Sequence, residues 1–310
     1  MKSAIFSILM LALLVFAACG NKDAGGGTGG GGIQKIDAST RVRVITADRC
    51  ATLDPHVTSS GGDAKVIDQV YETLLRVDPK NPDEVMPALA ESFSIEKDGK
   101  LISFKIREGV KFHDGTPLDA RAVKLSLDRL WGNEFKLPKA PYRGEFDFVL
   151  DTRAEGMNLM VALKRPIPRI ALKNLTMFSA SIVSPRLLQE AHQGRDENAA
   201  SAYVSANASG TGPFKLTSLD TNSSTVTLAA NDSYHGGAPA VKTLIFRQVG
   251  DPVLRHQLLT KGEAEVVDDL PRNLWADIKG RKDFTLHAWW GLNTCYLGLN
   301  SKHAKTREPA

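Results

Sequence analysis

The chain has 310 residues, of which 42% are hydrophobic, 24% charged and 7% aromatic. These proportions are those of an ordinary globular protein and exclude a wholly disordered or collagen-like chain. The formal net charge of +4, from 39 basic and 35 acidic residues, describes a surface of mixed sign. Because no basic run, RNP-like aromatic strand or zinc-finger spacing accompanies this charge, no nucleic-acid partner is expected.

The N-terminal segment is expected to direct export. Lys2 precedes an apolar stretch, Ala4–Ala18. This stretch is shorter than the roughly 20 residues of a membrane-spanning helix and ends in small residues, which predicts a signal peptide over residues 1–18. Cys19 follows two alanines, as in the lipobox of bacterial lipoproteins, so it is the expected lipidation site. An ordinary signal peptide with an incidental cysteine is the alternative.

A glycine-rich stretch separates Cys19 from the folded body. Residues 20–40 hold 8 of the 26 glycines, a composition typical of a flexible tether that spans roughly 25 Å. We therefore interpret residues 19–40 as a lipidated cysteine and its tether. The protein is expected to be anchored to the cell membrane and to face the periplasm or the cell exterior.

Two cysteines, Cys50 and Cys295, remain after the signal peptide. Two thiols do not make a disulfide scaffold of an exported protein. They form either one bridge or two separate buried thiols, because sequence alone does not bring their Cα atoms together.

The body begins with one strand and one helix. Alternating residues predict a strand over 41–46, and a polar loop runs from there to a turn at Pro55. A helix capped by Asp63 is predicted next. Its apolar stripe at helical spacing consists of Val66, Ile67, Val70, Tyr71 and Leu74. This stripe indicates a helix that packs on a core.

The middle of the chain continues with strands and a second helix. Asp98-Gly99 lies between two alternating runs and predicts a hairpin over 93–106. Asp119 is the expected N-cap of a helix. The face that this helix buries is expected to carry Val123, Leu127, Leu130 and Trp131. A further strand is predicted over 158–163.

The last third of the chain is rich in predicted strands. These are 214–216, 225–228, 244–247, 266–267, and a final sheet region from 284–286 with 295–299. Asp251 followed by proline predicts a helix start, and Gly262 predicts its end. This helix carries Leu254, Leu258 and Leu259. The pattern predicts an α/β body with mixed sheets and no simple βαβ repeat.

No enzymatic pattern is found in the sequence. The segment 210–214, GTGPF, lacks the third glycine of a dinucleotide fingerprint and is expected to form a turn between domains. His113 and Asp114 lie in a turn context, and Asp268-Asp269 is expected to be a solvated charge pair. The seven histidines form no metal-ligand spacing, and there is no Gly-x-Ser-x-Gly motif. Neither an enzyme nor a cofactor, metal or catalytic residue is predicted; an exported hydrolase built from dispersed residues is the alternative.

Several motifs in a fixed order carry a family resemblance. They are LDP at 53–55, YETL at 71–74, MPALAES at 86–92, DG at 98–99, FKIREGVKFHDGTPL at 104–118, GTGPF at 210–214, NDSYHGG at 231–237, Asp251, Arg255, GE at 262–263 and YLGLN at 296–300. Together they resemble the bacterial extracellular solute-binding proteins of family 5, the peptide/nickel-type receptors of ABC importers. The resemblance extends from residue 41 to the end of the chain.

The resemblance implies a particular architecture. It is an α/β, two-lobed fold like that of the periplasmic binding proteins of class II, of the large peptide-binding type, with an α+β domain inserted in lobe one. The implied lobe one comprises 41–54 and 203–280, and the inserted domain comprises 55–202. Residues 281–310 would only begin the second lobe. Since family members are substantially longer, the expectation is a truncated product or a piece of a longer protein.

The resemblance also implies a function. The two lobes would close around oligopeptides, dipeptides or a solute of similar size and deliver it to the transmembrane subunits of an ABC permease. The implied protein is a monomer without cofactors. A lipoprotein that keeps the anchor and the first lobe but does not transport is the alternative.

Seven residues are implied as ligand-binding candidates in two groups. They are Thr46, Asp48, Arg49 and Cys50 after the first strand, and Trp131, Tyr142 and Arg143 in the inserted domain. Asp48 would pair with an amino group and Arg49 with a carboxylate. The alternatives are a solvated loop with an incidental ion pair and, for Trp131, a place in the core.

Overall fold

A computed structural model describes residues 41–287 except 97, 136 and 138, and all structural statements below concern these residues. The expected signal peptide, Cys19, the tether and Cys295 lie outside them, as does the predicted strand 295–299. The pairing of Cys50 with Cys295 is therefore still an open prediction.

The described residues form eleven β-strands and five α-helices. The strands are β1 (Arg41–Thr46), β2 (Leu75–Val77), β3 (Val85–Pro87), β4 (Ala90–Glu96), β5 (Leu101–Ile106), β6 (Val149–Glu155), β7 (Asn158–Leu163), β8 (Phe214–Asp220), β9 (Thr225–Ala230), β10 (Thr243–Gln248) and β11 (Val266–Val267). The helices are α1 (Gly61–Val70), α2 (Ala120–Trp131), α3 (Pro185–His192), α4 (Glu197–Ala206) and α5 (Pro252–Thr260).

The first sheet has five strands in the order β11-β1-β10-β9-β8. β1 runs parallel to both of its neighbours, and Val44 lies between Phe246 and Val266. β10, β9 and β8 are joined in antiparallel fashion. Because β11, β1 and β10 run in the same direction, their carboxyl ends meet at one edge of the sheet.

The second sheet is antiparallel, in the order β4-β5-β7-β6, and β2 pairs with β3 in a small ribbon. The faces of β5 and β7 bury alternate residues, such as Ile102, Phe104 and Leu159. α2 packs on β6 and β7. Asp119 caps this helix by accepting from the Ala122 N–H at 2.7 Å. The sheet and α2 therefore form a second body of α+β type.

The buried apolar residues fall into two main clusters. One is drawn from residues 74–182 and lies between the antiparallel sheet and α2. The other combines the five-stranded sheet with α1, α3 and α4. α1, α3 and the first part of α4 fall within the expected inserted domain 55–202, yet these helices bury their apolar side chains against lobe one. We therefore propose boundaries for the inserted domain near residues 72 and 182.

Most predicted elements are confirmed. The strands 41–46 and 158–163, the hairpin around Asp98-Gly99, α2 and α5 are present. The predicted N-cap Asp63 is wrong, because Ser60 caps α1 by accepting from the Gly62 N–H at 3.2 Å. The helix also ends before Leu74. No strand forms over 284–286.

Candidate ligand-binding edge and domain junction

The first candidate region is the carboxyl edge, which we define as residues 46–50, 248–251 and 268–270 at the ends of β1, β10 and β11. Direct hydrogen bonds hold these segments together. The Val249 N–H donates to the Thr46 carbonyl at 2.9 Å, and the Asp268 N–H donates to the Ile45 carbonyl at 3.1 Å. In open sheets of this type, ligands bind at the carboxyl ends of the strands.

Three charged side chains converge at the carboxyl edge. Lys65 of α1 places its Nζ 2.6 Å from Asp268 Oδ2 and 3.5 Å from Asp48 Oδ2. Asp268 Oδ1 also accepts from the Ala47 N–H at 3.2 Å. The side chains of Lys65 and Asp268 are 16% and 21% exposed, whereas that of Asp48 is 61% exposed. Asp48 is therefore the carboxylate of this group that solvent reaches most readily.

Sequence reasoning missed two members of this group. Lys65 was not singled out, and Asp268 was expected to be solvated. That expectation is wrong, because Lys65 and the Ala47 amide cover the Asp268 carboxylate. The signal that could have found Lys65 is its position one turn into the first helix after the edge loop, which we define as residues 46–50.

α1 fixes the shape of the edge loop. A Cβ atom at Gly62 would lie 2.3 Å from the Arg49 carbonyl oxygen, so only glycine permits this approach. The Asp63 carboxylate accepts from the N–H groups of Ala51, at 2.5 Å, and Thr52, at 3.2 Å. Asp63 therefore serves the loop and not the helix cap.

The predicted candidates in this loop have different environments. The Thr46 hydroxyl donates to the Asp48 carbonyl at 2.6 Å. Arg49 is exposed, and its Nη2 donates to the Thr221 carbonyl at 2.7 Å. Cys50 is only 7% exposed and packs in the core below the five-stranded sheet. Burial and the Asp63 charge raise the pKa of its thiol, so it is an unreactive group.

The three candidates of the inserted domain lie around the end of α2. Trp131 packs on the core and on Phe146, with ring centroids 6.5 Å apart. Tyr142 meets Phe178 edge-on at 5.5 Å. Arg143 donates from Nε to the Leu130 carbonyl at 3.0 Å, which satisfies a free carbonyl of the last helical turn. Among the described residues, no hydrogen bond or ion pair joins this group to the edge loop.

The second candidate region is the junction, where the connection out of lobe one (residues 70–74) lies against the GTGPF loop and the residue before it (residues 209–213). The Gly212 N–H donates to the Val70 carbonyl at 3.0 Å. A Cβ atom at Gly210 would lie 2.3 Å from the Val70 carbonyl oxygen. The GTGPF segment therefore makes a close backbone contact with the connection at residues 70–74, which only glycine allows.

Glu72 is the centre of the polar contacts at the junction. Its carboxylate accepts from the Thr211 hydroxyl at 2.8 Å and the Tyr234 hydroxyl at 2.9 Å. His235 Nε2 lies 3.0 and 2.9 Å from the two carboxylate oxygens. This carboxylate is saturated by protein groups and leaves little capacity for a solute.

The turn at 113–116 docks into the same junction. His113 donates from its backbone N–H to the Gly210 carbonyl at 2.8 Å and from Nε2 to the Gly212 carbonyl at 2.9 Å. Burial lowers the pKa of His113 to about 4, so the ring is neutral. Asp114 accepts a short hydrogen bond from the Ser184 hydroxyl. Both residues therefore have structural roles in the described chain.

A buried ion pair also joins the two bodies. Arg129 of α2 donates from Nη1 and Nη2 to the two oxygens of Asp54, at 2.8 and 2.6 Å. Both side chains are 0% exposed. Arg129 Nη1 also donates to His56 Nδ1 at 2.9 Å, so His56 carries its proton on Nε2 and donates to the Ser181 carbonyl at 3.1 Å. Burial and the Arg129 charge lower the pKa of His56 to about 3.

No group of three or more histidine, cysteine, aspartate or glutamate side chains in residues 41–287 is placed to hold a metal ion. Within the same residues, no helix has both the length and the apolar character needed to cross a membrane.

Comparison with known proteins defines the class. The family model "Bacterial extracellular solute-binding proteins, family 5 Middle" matches residues 84–310. The probable D,D-dipeptide-binding periplasmic protein DdpA of Escherichia coli (strain K12) is 30% identical over 257 residues, which cover 82% of this chain and 48% of that protein. The glutathione-binding protein GsiB of Escherichia coli O1:K1 / APEC is 25% identical over 263 residues, covering 85% and 49%.

A solved structure agrees in fold. The dipeptide-binding protein from Pseudoalteromonas sp. SM9913, in complex with Met-Leu, matches with a TM-score of 0.71 and 19% identity, over 78% of this chain and 50% of that one. The fold is thus that of an extracellular solute-binding protein. The chain belongs to family 5 of the bacterial extracellular solute-binding proteins. It spans about half the length of the curated relatives that it matches.

Proposed function

We propose that this chain supplies one wall of the binding cleft of an ABC-importer receptor, which captures a small peptide or a solute of similar size. The observation that supports the proposal most directly is the partly open charge cluster Asp48–Lys65–Asp268 at the carboxyl edge. It lies where ligands bind in sheets of this kind, in a chain that belongs to a solute-binding family.

Asp48 is the residue that we propose to recognise a ligand amino group. Its carboxylate is exposed, and its nearest cation, Lys65 Nζ, is 3.5 Å away, whereas Lys65 lies 2.6 Å from Asp268. Asp48 is therefore only weakly engaged and can accept charge-assisted hydrogen bonds from an ammonium group. Thr46 supports it by fixing the Asp48 carbonyl.

Arg49 is the group that we propose for a ligand carboxylate. Its guanidinium is exposed and has one carbonyl partner, Thr221, so further N–H donors are available for a bidentate contact. The buried Cys50 does not enter this proposal. Trp131 and Tyr142 enter it only as packing residues that shape the inserted domain, and Arg143 as a helix-capping residue.

The peptide class follows from the relatives. The names of DdpA and GsiB denote a D,D-dipeptide and glutathione as their ligands. Both ligands carry an amino group and carboxylates, which are the groups that Asp48 and Arg49 complement. A single wall of the cleft does not distinguish further among such solutes.

The remaining parts of the proposal concern the setting of the protein. We propose that it acts without catalysis, as a monomer attached to the membrane through Cys19, and that it passes its ligand to the transmembrane subunits of the permease. The family description supports an extracellular location, and the lipobox-like sequence supports the anchor.

Ligand binding can be tested by calorimetry and thermal shift with D-alanyl-D-alanine and glutathione as probes. We expect at least one probe to bind and to raise the melting temperature. Asp48→Asn should weaken that binding by about tenfold or more, the effect of losing one charged hydrogen bond. Asp83→Asn, which removes an exposed carboxylate of the inserted domain, is the matched control and should bind as the wild type does.

Two results would contradict the proposal. If neither probe binds, the chain does not recognise these peptides and the scaffold without transport activity becomes the better description. If a probe binds but Asp48→Asn leaves its affinity unchanged, the carboxyl edge is not the recognition site.

A further inference from the structure

Arg255 is a buried arginine with an unusual set of partners. It lies on α5, and only 3% of its surface is exposed. Its Nη1 donates to the carbonyls of Val249, at 2.8 Å, and Gly250, at 2.9 Å. Its Nη2 donates to the Asp269 carbonyl at 2.8 Å. All three partners are backbone groups.

No carboxylate pairs with this guanidinium within the described part of the chain, where its hydrogen-bond partners are backbone carbonyls. Its buried Nε also has no hydrogen-bond partner there. Burying a cation without a counter-ion is costly, and a residue that breaks a local rule in this way is expected to serve a function elsewhere in the fold. The role of Arg255 therefore lies in the segments that it holds and not in a gain of folding free energy.

Arg255 holds two of the three segments of the carboxyl edge. Val249 and Gly250 follow β10, and Asp269 follows β11. Asp269 adopts a left-handed backbone conformation with φ of +53°, which costs energy for a residue other than glycine. The hydrogen bond from Arg255 to the Asp269 carbonyl stabilises this turn.

The turn at Asp269 determines the direction of the neighbouring Asp268 side chain. The Asp268 carboxylate accepts from the Ala47 N–H and pairs with Lys65. Lys65 in turn lies beside Asp48. A continuous series of contacts therefore runs from Arg255 through the Asp269 backbone and the Asp268 carboxylate to the edge loop.

Arginine is required for this geometry. One planar guanidinium reaches three carbonyls on two segments, with its donors in a fixed fork. A lysine ammonium is a single point on a flexible stem and cannot reach all three at these positions.

We propose that Arg255 is a positioning residue for solute binding, which sets the Asp268 carboxylate and through it the Ala47–Asp48 loop. Its role in binding rests on the proposed function of the carboxyl edge. Its role in ordering the edge does not depend on any ligand.

The ordering role is tested by amide hydrogen exchange on the full chain. Arg255→Lys keeps the charge but loses about two hydrogen bonds, so the Ala47 and Asp268 amides should exchange about tenfold faster than in the wild type. Arg186→Lys, on the exposed face of α3, is the matched control and should leave both amides unchanged. Unchanged exchange in Arg255→Lys would overturn the proposal.

A measurement on the wild type covers the case in which Arg255→Lys does not fold. The proposal requires the Ala47 and Asp268 amides to open together, with one dependence on denaturant concentration. Different dependences for the two amides would refute it.

The binding role is tested by a double-mutant cycle with D-alanyl-D-alanine and glutathione. Arg255→Lys and Asp268→Asn should each weaken binding. Because Arg255 acts through Asp268, the double variant should have the same affinity as the single variant with the lower affinity. Additive losses would contradict this coupling. If the wild type binds neither probe, the proposed function fails for these ligands, whereas the exchange experiment still decides the ordering role.

Discussion

The junction and the carboxyl edge lie at the two ends of α1 and differ in how their polar groups are satisfied. At the junction, Glu72 accepts from Thr211, Tyr234 and His235. At the edge, Asp48 remains 61% exposed and only loosely paired. The polar groups of the junction satisfy one another, and those of the edge remain open to a solute.

This difference explains what the sequence motifs report. The YETL, HDGT, GTGPF and NDSYH segments contribute Glu72, His113, Gly212 and Tyr234, which all meet at the junction. These four motifs of the family resemblance thus fix the inserted domain on lobe one. They identify the fold and do not identify the ligand.

The largest effect is expected from breaking the buried ion pair beside the junction. Arg129→Met leaves the fully buried Asp54 carboxylate without its partner and should lower the free energy of unfolding by about 3–5 kcal/mol. Urea denaturation measures it. Arg165→Met, which removes an exposed pair with Asp147 at 3.1 Å, is the control and should cost less than about 1 kcal/mol. Similar values for the two variants would show that the buried pair contributes no more to stability than an exposed pair.

A smaller but still large effect is expected from the close approach of the GTGPF segment to the connection at residues 70–74. The Cβ of Gly210→Ala would lie 2.3 Å from the Val70 carbonyl oxygen and 2.6 Å from Tyr71 Cδ1. The backbone must shift, and we expect a loss of about 2–3 kcal/mol in urea unfolding. Gly144→Ala meets nothing within 4 Å and should change stability by less than about 0.5 kcal/mol. If alanine at position 210 leaves stability unchanged, the GTGPF segment and residues 70–74 are not held in close contact.

The junction should also make the fold sensitive to acid. The pKa of His56 is about 3 in the folded chain, against an ordinary value of 6.5. The unfolded chain therefore binds more protons between these values, and stability falls as the pH drops below about 6.5. The pKa of Asp54 is also lowered, chiefly by Arg129 acting against burial, so its contribution is lost at still lower pH.

We expect a loss of about 2 kcal/mol between about pH 7.5 and about pH 5, measured by urea unfolding. His56→Gln can keep both hydrogen bonds without titrating, so this variant should lose less over the same interval. An equal loss in the variant would mean that His56 is not the group responsible.

The same comparison shows how far the sequence could be interpreted. The periodicity of β1, the Asp-Gly hairpin and the caps at Asp119 and Asp251 are local signals, and they predicted elements that the structure contains. Asp63 has the composition of a cap, but its carboxylate binds the N–H groups of Ala51 and Thr52. The Asp63 carboxylate binds backbone groups outside the helix, and no local sequence pattern reveals these contacts.

The candidate site was predictable only in part. The loop after β1 was expected at the cleft, because the family resemblance implied it. Lys65, Asp268 and Arg255 were assigned no role at the edge, because their roles arise from contacts across long stretches of sequence. The same resemblance implied Cys50 beside a ligand, as part of this loop, yet its thiol packs in the core.

Asp68 lies on α1 between the two regions and gives the smallest predicted effect. It is partly buried, and burial raises its pKa from 3.8 to about 7. The folded chain therefore binds more protons than the unfolded chain between these values, and stability is lost as the pH rises through about 7.

Asp68→Asn removes this cost, so it should raise the free energy of unfolding by up to about 1 kcal/mol at about pH 8 and by almost nothing near pH 4. Urea unfolding at the two pH values measures the difference. Asp48→Asn is a suitable control because its carboxylate is exposed. A gain in Asp68→Asn that did not change with pH would come from helix propensity and not from the buried charge.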